Sequence, residues 1–151
     1  MHKRCFFAGH SKLYEDVQEK LKAAIEYQIL HNGVDEFWVG NYGAFDRAAA
    51  KAVRELQGTY RDIKLYLVLP YLTRAIEEAR EEYYKAFDGL LLADIPENTP
   101  KRYHILKCNE YMAQESDVLV CYVKHPFGGA ADTLDIAKKK KQIEIININN
   151  L

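Results

Sequence analysis

The fold of this chain is constrained above all by an alternation of short apolar runs with longer segments of helical periodicity. Such an alternation is typical of βα units arranged around a parallel sheet. The apolar runs predict six strands, at residues 4–8, 34–39, 63–69, 88–94, 117–123 and 143–148. The intervening segments predict five helices, at residues 13–32, 44–56, 73–86, 101–115 and 130–140. We therefore expect a single α/β domain over residues 1–151, a Rossmann-like three-layer α/β/α sandwich with a mostly parallel sheet of about six strands.

The composition excludes several kinds of partner. The 21 basic and 22 acidic side chains give a formal net charge of −1, so no broad positive surface is expected to bind nucleic acid or an anionic membrane. No stretch approaches the roughly 20 apolar residues that span a bilayer, and the apolar run near the N-terminus is too short for a signal peptide. The three cysteines are odd in number and form no C-x-x-C pair, which argues against a disulfide framework or a zinc site. These features favour a cytoplasmic protein with no nucleic-acid or membrane partner, no metal and no cofactor.

Three of the predicted βα turns contain glycine. They are Gly9-His10 after the first strand, Gly40-x-x-Gly43 after the second and Gly128-Gly129 after the fifth. Glycine lets a backbone approach a ligand closely, and each turn opens a helix whose free N–H groups attract an anion such as phosphate. The alternative for each turn taken singly is that it needs glycine for its own backbone geometry. The chain has neither G-x-G-x-x-G after its first strand nor a G-x-x-x-x-G-K-[ST] motif, which argues against an ordinary NAD site and a P-loop.

Acidic side chains follow two of these turns. Asp46 lies in the first turn of the second helix, and Asp132, Thr133 and Asp135 lie in the first turns of the last helix. A carboxylate at such a place can receive a ribose hydroxyl or act as a general acid or base. An acid at a helix start is also favoured by the helix dipole alone, so both interpretations stay open.

Three ring side chains lie in the same turns. His10 and His125 follow the first and fifth strands, where histidine can donate to a phosphate or transfer a proton near neutral pH. Tyr42 lies inside the second glycine turn and is a candidate for stacking on a base.

The order of these motifs carries a resemblance. A Gly-His turn, a G-x-x-G-x-x-D turn, the segment C-N-E-Y-M-x-x-x-S-D-V-L-V and finally G-G-x-x-x-T-x-D-x-A follow one another between residues 4 and 148. The chain resembles the SLOG superfamily of Rossmann-like domains, which includes the lonely-guy phosphoribohydrolases and DNA-processing protein A. It is most similar to the bacterial YpsA-like branch, in which a helix with an Asn and a Met precedes Ser-Asp and a buried strand, as Asn109, Met112, Ser116 and Asp117 do here.

The resemblance implies a nucleotide-binding domain with a ligand built on a nucleotide or phosphoribosyl group, such as ADP-ribose or a nucleoside phosphate. It adds Asn109 to the ligand-binding candidates, and it implies a homodimer or higher homo-oligomer. For many superfamily members it also implies a role in sensing or handling nucleotide signals.

The chain departs from the phosphoribohydrolase pattern at several positions. The pattern P-G-G-x-G-T-x-x-E falls on residues 127–135, so that Asp135 replaces the catalytic glutamate. The Arg-Lys pair of that branch falls on Cys108 and Asn109, and Arg102 or Lys107 would have to substitute for it. We therefore expect binding or sensing of a nucleotide-derived small molecule. The alternatives are an N-glycosidic hydrolase or transferase acting on a nucleoside monophosphate, with Asp135 as its catalytic residue, and a protein-interaction module without a ligand.

Overall fold

The structure is a computed structural model that describes residues 2–140 and 142–151; Met1 and Lys141, which fall in the predicted domain, lie outside the described residues. Its sheet is built from β1 (Arg4–Gly9), β2 (Glu36–Val39), β3 (Lys64–Leu69), β4 (Gly89–Leu92), β5 (Val118–Tyr122) and β6 (Glu144–Asn147). The strands lie in the order β4-β3-β2-β1-β5-β6, and all neighbours are parallel. The predicted α/β class and parallel sheet are confirmed.

Helices connect the strands on both faces of the sheet. They are α1 (Gln18–Asn32), α2 (Ala44–Gln57), α3 (Arg74–Glu78), α4 (Arg80–Ala86), α5 (His104–Glu115) and α6 (Gly129–Lys138). A 3-10 turn at Lys101–Tyr103 precedes α5, and another at Ile148–Asn150 follows β6. None of the helices in the described ranges is long and apolar enough to cross a membrane.

Side chains of β1 enter the two cores that flank the sheet. Cys5 and Phe7 pack on the side of α1 and α2, whereas Phe6 and Ala8 pack on the side of α5 and α6. All four side chains are buried. A strand that is covered on both faces has a continuous apolar sequence, and the apolar run at residues 4–8 predicts β1 for this reason. The two helical layers and the sheet between them form the expected three-layer sandwich.

The first helix begins at Gln18 and not at Leu13, so its predicted start is wrong. Val17 is buried and Leu13 packs against the core, but both do so from a loop. The Asp16 carboxylate accepts a hydrogen bond from the Gln18 N–H (2.9 Å), which favours the start of the helix at this point. The end of the helix is as predicted, because Gly33 adopts a left-handed conformation (φ 67°) that favours glycine.

The single helix predicted over residues 73–86 is two helices, so residues 2–140 and 142–151 form six α-helices where the sequence predicts five. Its start is confirmed, since the Thr73 hydroxyl accepts a hydrogen bond from the Ile76 N–H (3.1 Å). The helical path breaks at Ala79 (φ −98°, ψ 19°). Only Ile76 is buried in α3 and no residue is buried in α4, so packing does not hold the two segments on one axis.

Candidate functional site

The carboxyl ends of β1 and β5 form the topological switch point of the sheet. From β1 the chain moves outward through β2, β3 and β4, and it then returns to the other side of β1 as β5. Gly9 at the end of β1 pairs with Tyr122 at the end of β5. The segments that follow these strands lead to helices on opposite faces of the sheet, and the crevice that opens between them is where ligands of such sheets bind.

A cleft of about 470 Å³ lies in this crevice, a volume typical of sites for one small molecule. It is lined by the end of β1 and the loop after it, the start of α2, one face of α5, and the segment from β5 to α6. The predicted ligand-binding residues that line it are Gly9, His10, Asp46, Asn109, Gly128 and Gly129, together with Tyr42 and His125. The predicted residues that do not line it are Gly40, Gly43, Asp132, Thr133 and Asp135.

Two of the glycine turns are required by the packing of the chain on itself. A Cβ atom on Gly9 would lie 2.2 Å from Cγ of Phe45, and a Cβ on Gly43 would lie 2.5 Å from Cα of Ser11. Side chains of any size at these positions would displace α2 or the loop after β1. The close packing of the protein therefore accounts for glycine at both positions.

The third glycine turn faces open space. A Cβ atom on Gly128 or Gly129 would have no heavy atom within 4 Å, so packing does not explain these glycines. Gly128 has φ 96°, a left-handed conformation that glycine adopts readily, and it precedes the first residue of α6. No side chain caps α6. The N–H groups of its first three residues, Gly129 to Ala131, lack partners within the helix and carry a partial positive charge that attracts anions.

Two lysines line the cleft together with this helix start. They are Lys12, in the loop after β1, and Lys124, two residues after β5. Lys124 Nζ lies 4.0 Å from the Glu15 carboxylate. We call Lys12, Lys124, Gly128 and Gly129 the anion end of the cleft. Neither lysine is among the residues predicted from the sequence, although both follow strands that meet at the switch point, which was a usable signal.

The cations considered from the sequence lie elsewhere. Arg102 lies over the Tyr103 ring, and Lys107 pairs with Glu110 (3.0 Å); neither lines the cleft. Cys108 is buried, and burial raises the pKa of its thiol to about 12, so it packs as a neutral group. Positive charge therefore reaches the cleft from the two lysines of the anion end.

Asp46 also lines the cleft, in the first turn of α2. Its carboxylate is partly buried and accepts a hydrogen bond from the Tyr42 N–H (3.0 Å). Burial raises the pKa of Asp46 to about 6, although the Tyr42 N–H and the neighbouring Arg47 act in the other direction. A carboxyl group with a pKa near neutrality can either accept a hydrogen bond or donate a proton at physiological pH.

Asn109 is held in place by a residue outside the cleft. Its Nδ2 donates to the hydroxyl of Thr133 (3.0 Å), and that hydroxyl donates to the carbonyl of Gly129 (2.9 Å). Thr133 is fully buried. It is thus a positioning residue that links α5 to the start of α6, and it leaves the Oδ1 atom of Asn109 available to accept a hydrogen bond in the cleft.

His10, His125 and Phe127 form an aromatic stack at the edge of the cleft. The His10 and His125 ring centroids are 3.9 Å apart, and those of His125 and Phe127 are 4.1 Å apart. His10 Nε2 accepts a hydrogen bond from the Lys124 N–H (2.8 Å), and His125 Nδ1 donates to the Phe127 carbonyl (3.0 Å). Burial, and then the neighbouring His125, lowers the pKa of His10. His10 is therefore neutral at physiological pH, with its proton on Nδ1.

Asp132 and Asp135 are exposed on α6 and outside the cleft. The Asp132 N–H donates to the Gly128 carbonyl (3.0 Å), as expected in a first helical turn. Nowhere in residues 2–140 and 142–151 are three or more His, Cys, Asp or Glu side chains placed to hold a metal ion. The acidic group in the cleft is Asp46.

The fold and the cleft at its switch point are those of a Rossmann-like α/β protein. DNA processing protein A (DprA) from Streptococcus pneumoniae superposes with a TM-score of 0.67 at 16% identity, over 95% of this chain and 50% of that one. The chain thus spans half the length of that structure. Molybdenum cofactor carrier protein from Chlamydomonas reinhardtii superposes with a TM-score of 0.56 at 15% identity, over 99% of this chain and 92% of that one. At these identities the likeness concerns the fold.

A sequence relative identifies the family more narrowly, although no protein-family model matches the chain. UPF0398 protein BH1768 of Halalkalibacterium halodurans is 31% identical over 137 residues, which cover 85% of this chain and 72% of the relative. The chain belongs to the UPF0398 family. The resemblance to the SLOG superfamily and its YpsA-like branch is thereby confirmed.

Proposed function

We propose that this protein binds a phosphorylated, nucleotide-derived small molecule in the cleft between β1 and β5. One observation carries the proposal: two lysines and the uncapped glycine start of α6 line the same cleft as two polar side chains, Asp46 and Asn109, which we call its polar floor. A phosphate suits the anion end because backbone N–H groups and ammonium groups both stabilise its charge.

The polar floor suits a sugar that carries hydroxyl groups. Asp46 and the Oδ1 atom of Asn109 both accept hydrogen bonds, and a ribose offers hydroxyl donors to such acceptors. A ligand that carries both a phosphate and hydroxyl donors would match both sets of groups in the cleft. Gly9 completes its wall, and His10, with its proton on Nδ1, can donate to a phosphate oxygen.

A solved neighbour supports a small ligand at this kind of fold. The Chlamydomonas reinhardtii protein is by name a carrier of the molybdenum cofactor, and it shares the fold of nearly all of this chain. We extend from it only the capacity to hold a small molecule, and we propose a nucleotide-derived one because of the anion end and the floor described above.

Isothermal titration calorimetry of the full chain with AMP, ADP-ribose and ribose 5-phosphate tests the proposal, with adenosine as the ligand that lacks phosphate. We expect micromolar binding of at least one phosphorylated compound and much weaker binding of adenosine. Lys12→Ala and Lys124→Ala should each weaken binding about tenfold or more, the size of a lost charged hydrogen bond. Lys51→Ala, at an exposed position outside the cleft, is the matched control. Binding no tighter than millimolar for every phosphorylated compound would reject the proposal.

The raised pKa of Asp46 favours one further candidate, hydrolysis of an N-glycosidic bond. Protonated Asp46 would donate its proton to the departing base while water adds its hydroxyl to the sugar carbon and releases its remaining proton to Asp46. A pKa of about 6 leaves enough of the acid form near neutrality for this role. Here the acid would be Asp46 and not Asp135, which lies outside the cleft.

Chromatography for free base after incubation with nucleoside monophosphates tests this candidate. Hydrolysis predicts base release that Asp46→Asn abolishes and Asp135→Asn preserves. If Asp135→Asn abolished release instead, the acid would be assigned to the wrong residue, and if no nucleotide were cleaved, the binding function would stand alone.

A further inference from the structure

Phe127 is the outer ring of the aromatic stack and presents a bare face. His125 covers one side of the Phe127 ring, at a centroid distance of 4.1 Å and an interplanar angle of 21°. Phe127 is nevertheless 67% exposed, so the other side of the ring is open. A single exposed apolar side chain is common on protein surfaces and by itself indicates nothing.

The stack differs from a scattered surface residue because it is anchored. His10 is tied to the segment after β5 through the Lys124 N–H, and His125 is tied to the Phe127 carbonyl. The three rings are nearly parallel, with 14° between the histidines. An anchored ring loses little conformational entropy when a second ring stacks on it, so it suits the recognition of a planar group.

The bare ring also lies beside the anion end. Phe127 lines the cleft, and Gly128 and Gly129 follow it directly. Consecutive Cα atoms are about 3.8 Å apart, so the ring and the start of α6 are separated by two peptide units at most. A nucleoside monophosphate joins its base to its phosphate through one ribose, and it can therefore contact both features at once.

Three tyrosines also line the cleft, but none matches this arrangement. Tyr122 is buried and its hydroxyl donates to the Glu15 carboxylate, so its ring has no open face. The Tyr42 ring lies against Gly40, and the backbone N–H of Tyr42 donates to the Asp46 carboxylate. Tyr14 is 91% exposed on the loop after β1. Phe127 combines an open face, an anchored plane and immediate proximity to the anion end.

We propose that the open face of Phe127 stacks on the nucleobase of the ligand, so that the cleft takes base-bearing phosphates in preference to the bare sugar phosphate. The inference rests on the proposed function and narrows its ligand class. Stacking uses the π-face that every base possesses, so the preference extends to purines and pyrimidines alike. The ligand class is a nucleoside phosphate or a dinucleotide derived from one.

Calorimetry with AMP, CMP and ribose 5-phosphate tests this inference on the wild-type chain and on Phe127→Ala and Phe127→Tyr. The wild type should bind AMP and CMP more tightly than ribose 5-phosphate. Phe127→Ala should weaken AMP binding by about 5- to 150-fold, the range found when a stacking ring is removed. It should change ribose 5-phosphate binding by less than about twofold, and Phe127→Tyr should restore AMP binding because it restores the ring face. Tyr84→Ala, another exposed aromatic outside the cleft, should alter neither ligand.

The outcomes separate this inference from the function on which it rests. If no phosphorylated ligand binds the wild type, the proposed function itself fails. If ribose 5-phosphate binds but AMP gains nothing over it, or if Phe127→Ala weakens both ligands equally, then Phe127 shapes the loop and does not stack on a base, and the inference is overturned. The inference would also be overturned if Tyr42→Leu weakened AMP binding but not ribose 5-phosphate binding while Phe127→Ala did not. The base would then be assigned to Tyr42.

Discussion

Replacing Asp46 by asparagine is expected to stabilise the unliganded protein at neutral and alkaline pH. Asparagine has almost the same shape as a protonated aspartate, and its Oδ1 can still accept the hydrogen bond from the Tyr42 N–H. The substitution therefore removes the charge and keeps the contact. It stabilises the protein because an ionised carboxylate is no longer buried in the cleft.

The size of this stabilisation follows from the pKa of Asp46, which burial raises from its ordinary value of 3.8 to about 6. The folded state holds this proton more tightly than the unfolded state, so the stabilising effect of protonation is complete at low pH and is lost as pH rises from 3.8 through about 6. One pKa unit corresponds to about 1.4 kcal/mol, which gives about 3 kcal/mol at pH 8. For a domain of this size the thermal midpoint should rise by about 6 to 12 °C.

Urea unfolding at pH 4, 6 and 8, followed by the fluorescence of the single, buried Trp38, measures this effect. The stability gained by Asp46→Asn should be near zero at pH 4 and largest at pH 8. Asp135→Asn, at an exposed position, should stay within about 0.5 kcal/mol of the wild type throughout. Equal stability of wild type and Asp46→Asn at pH 8, or a difference that does not vary with pH, would refute the reasoning. A residue kept at a cost to stability is expected where function requires it.

Three further substitutions follow from the packing around the cleft. Gly9→Ala should destabilise the fold by about 1 to 3 kcal/mol, seen in urea titrations, because its Cβ would overlap the Phe45 ring. Gly129→Ala meets no atom within 4 Å, so its thermal midpoint should match the wild type while phosphate affinity falls; a loss of stability as large as that of Gly9→Ala would contradict this. Thr133→Val should lower the free energy of unfolding by about 1 to 3 kcal/mol, because it removes the hydroxyl that accepts from the Asn109 amide and donates to the Gly129 carbonyl. Unchanged unfolding of Thr133→Val would show that Asn109 finds another partner.

The architecture was predictable because the strands carry uninterrupted apolar runs. β1 contains adjacent buried phenylalanines, Phe6 and Phe7, that face opposite cores, and this pattern is typical of a central parallel strand. The start of α1 was not predictable from the spacing of its apolar residues alone. Leu13 and Val17 are four residues apart, as on one face of a helix, yet both contact the core from a loop. The helix begins only at Gln18, where the Asp16 carboxylate accepts a hydrogen bond from the Gln18 N–H.

The candidate site was predictable at its glycines and not at its lysines. Glycine occurs in a βα turn either because a neighbouring side chain packs against it or because a ligand does, and the sequence looks the same in both cases. Only the structure shows that Gly9 packs against Phe45 and that Gly129 faces open space. Lys12 and Lys124 belong to no motif, and they share the cleft only because β1 pairs with β5. The homo-oligomer, the cytoplasmic location and the ligand-binding roles stay predictions.

The sheet order has a consequence for how the protein is made. His10 and Lys124, which are joined by a hydrogen bond between the segments after β1 and β5, are separated by 114 residues. At 5 to 20 residues per second, a ribosome needs roughly 6 to 23 s to add Lys124 after His10. Throughout that interval the edge of β1 that later pairs with β5 has no strand beside it, and such an edge invites pairing with other chains. On the proposed function, a ligand could contact the whole cleft only after the start of α6 has been made, and its binding would then oppose unfolding of the domain.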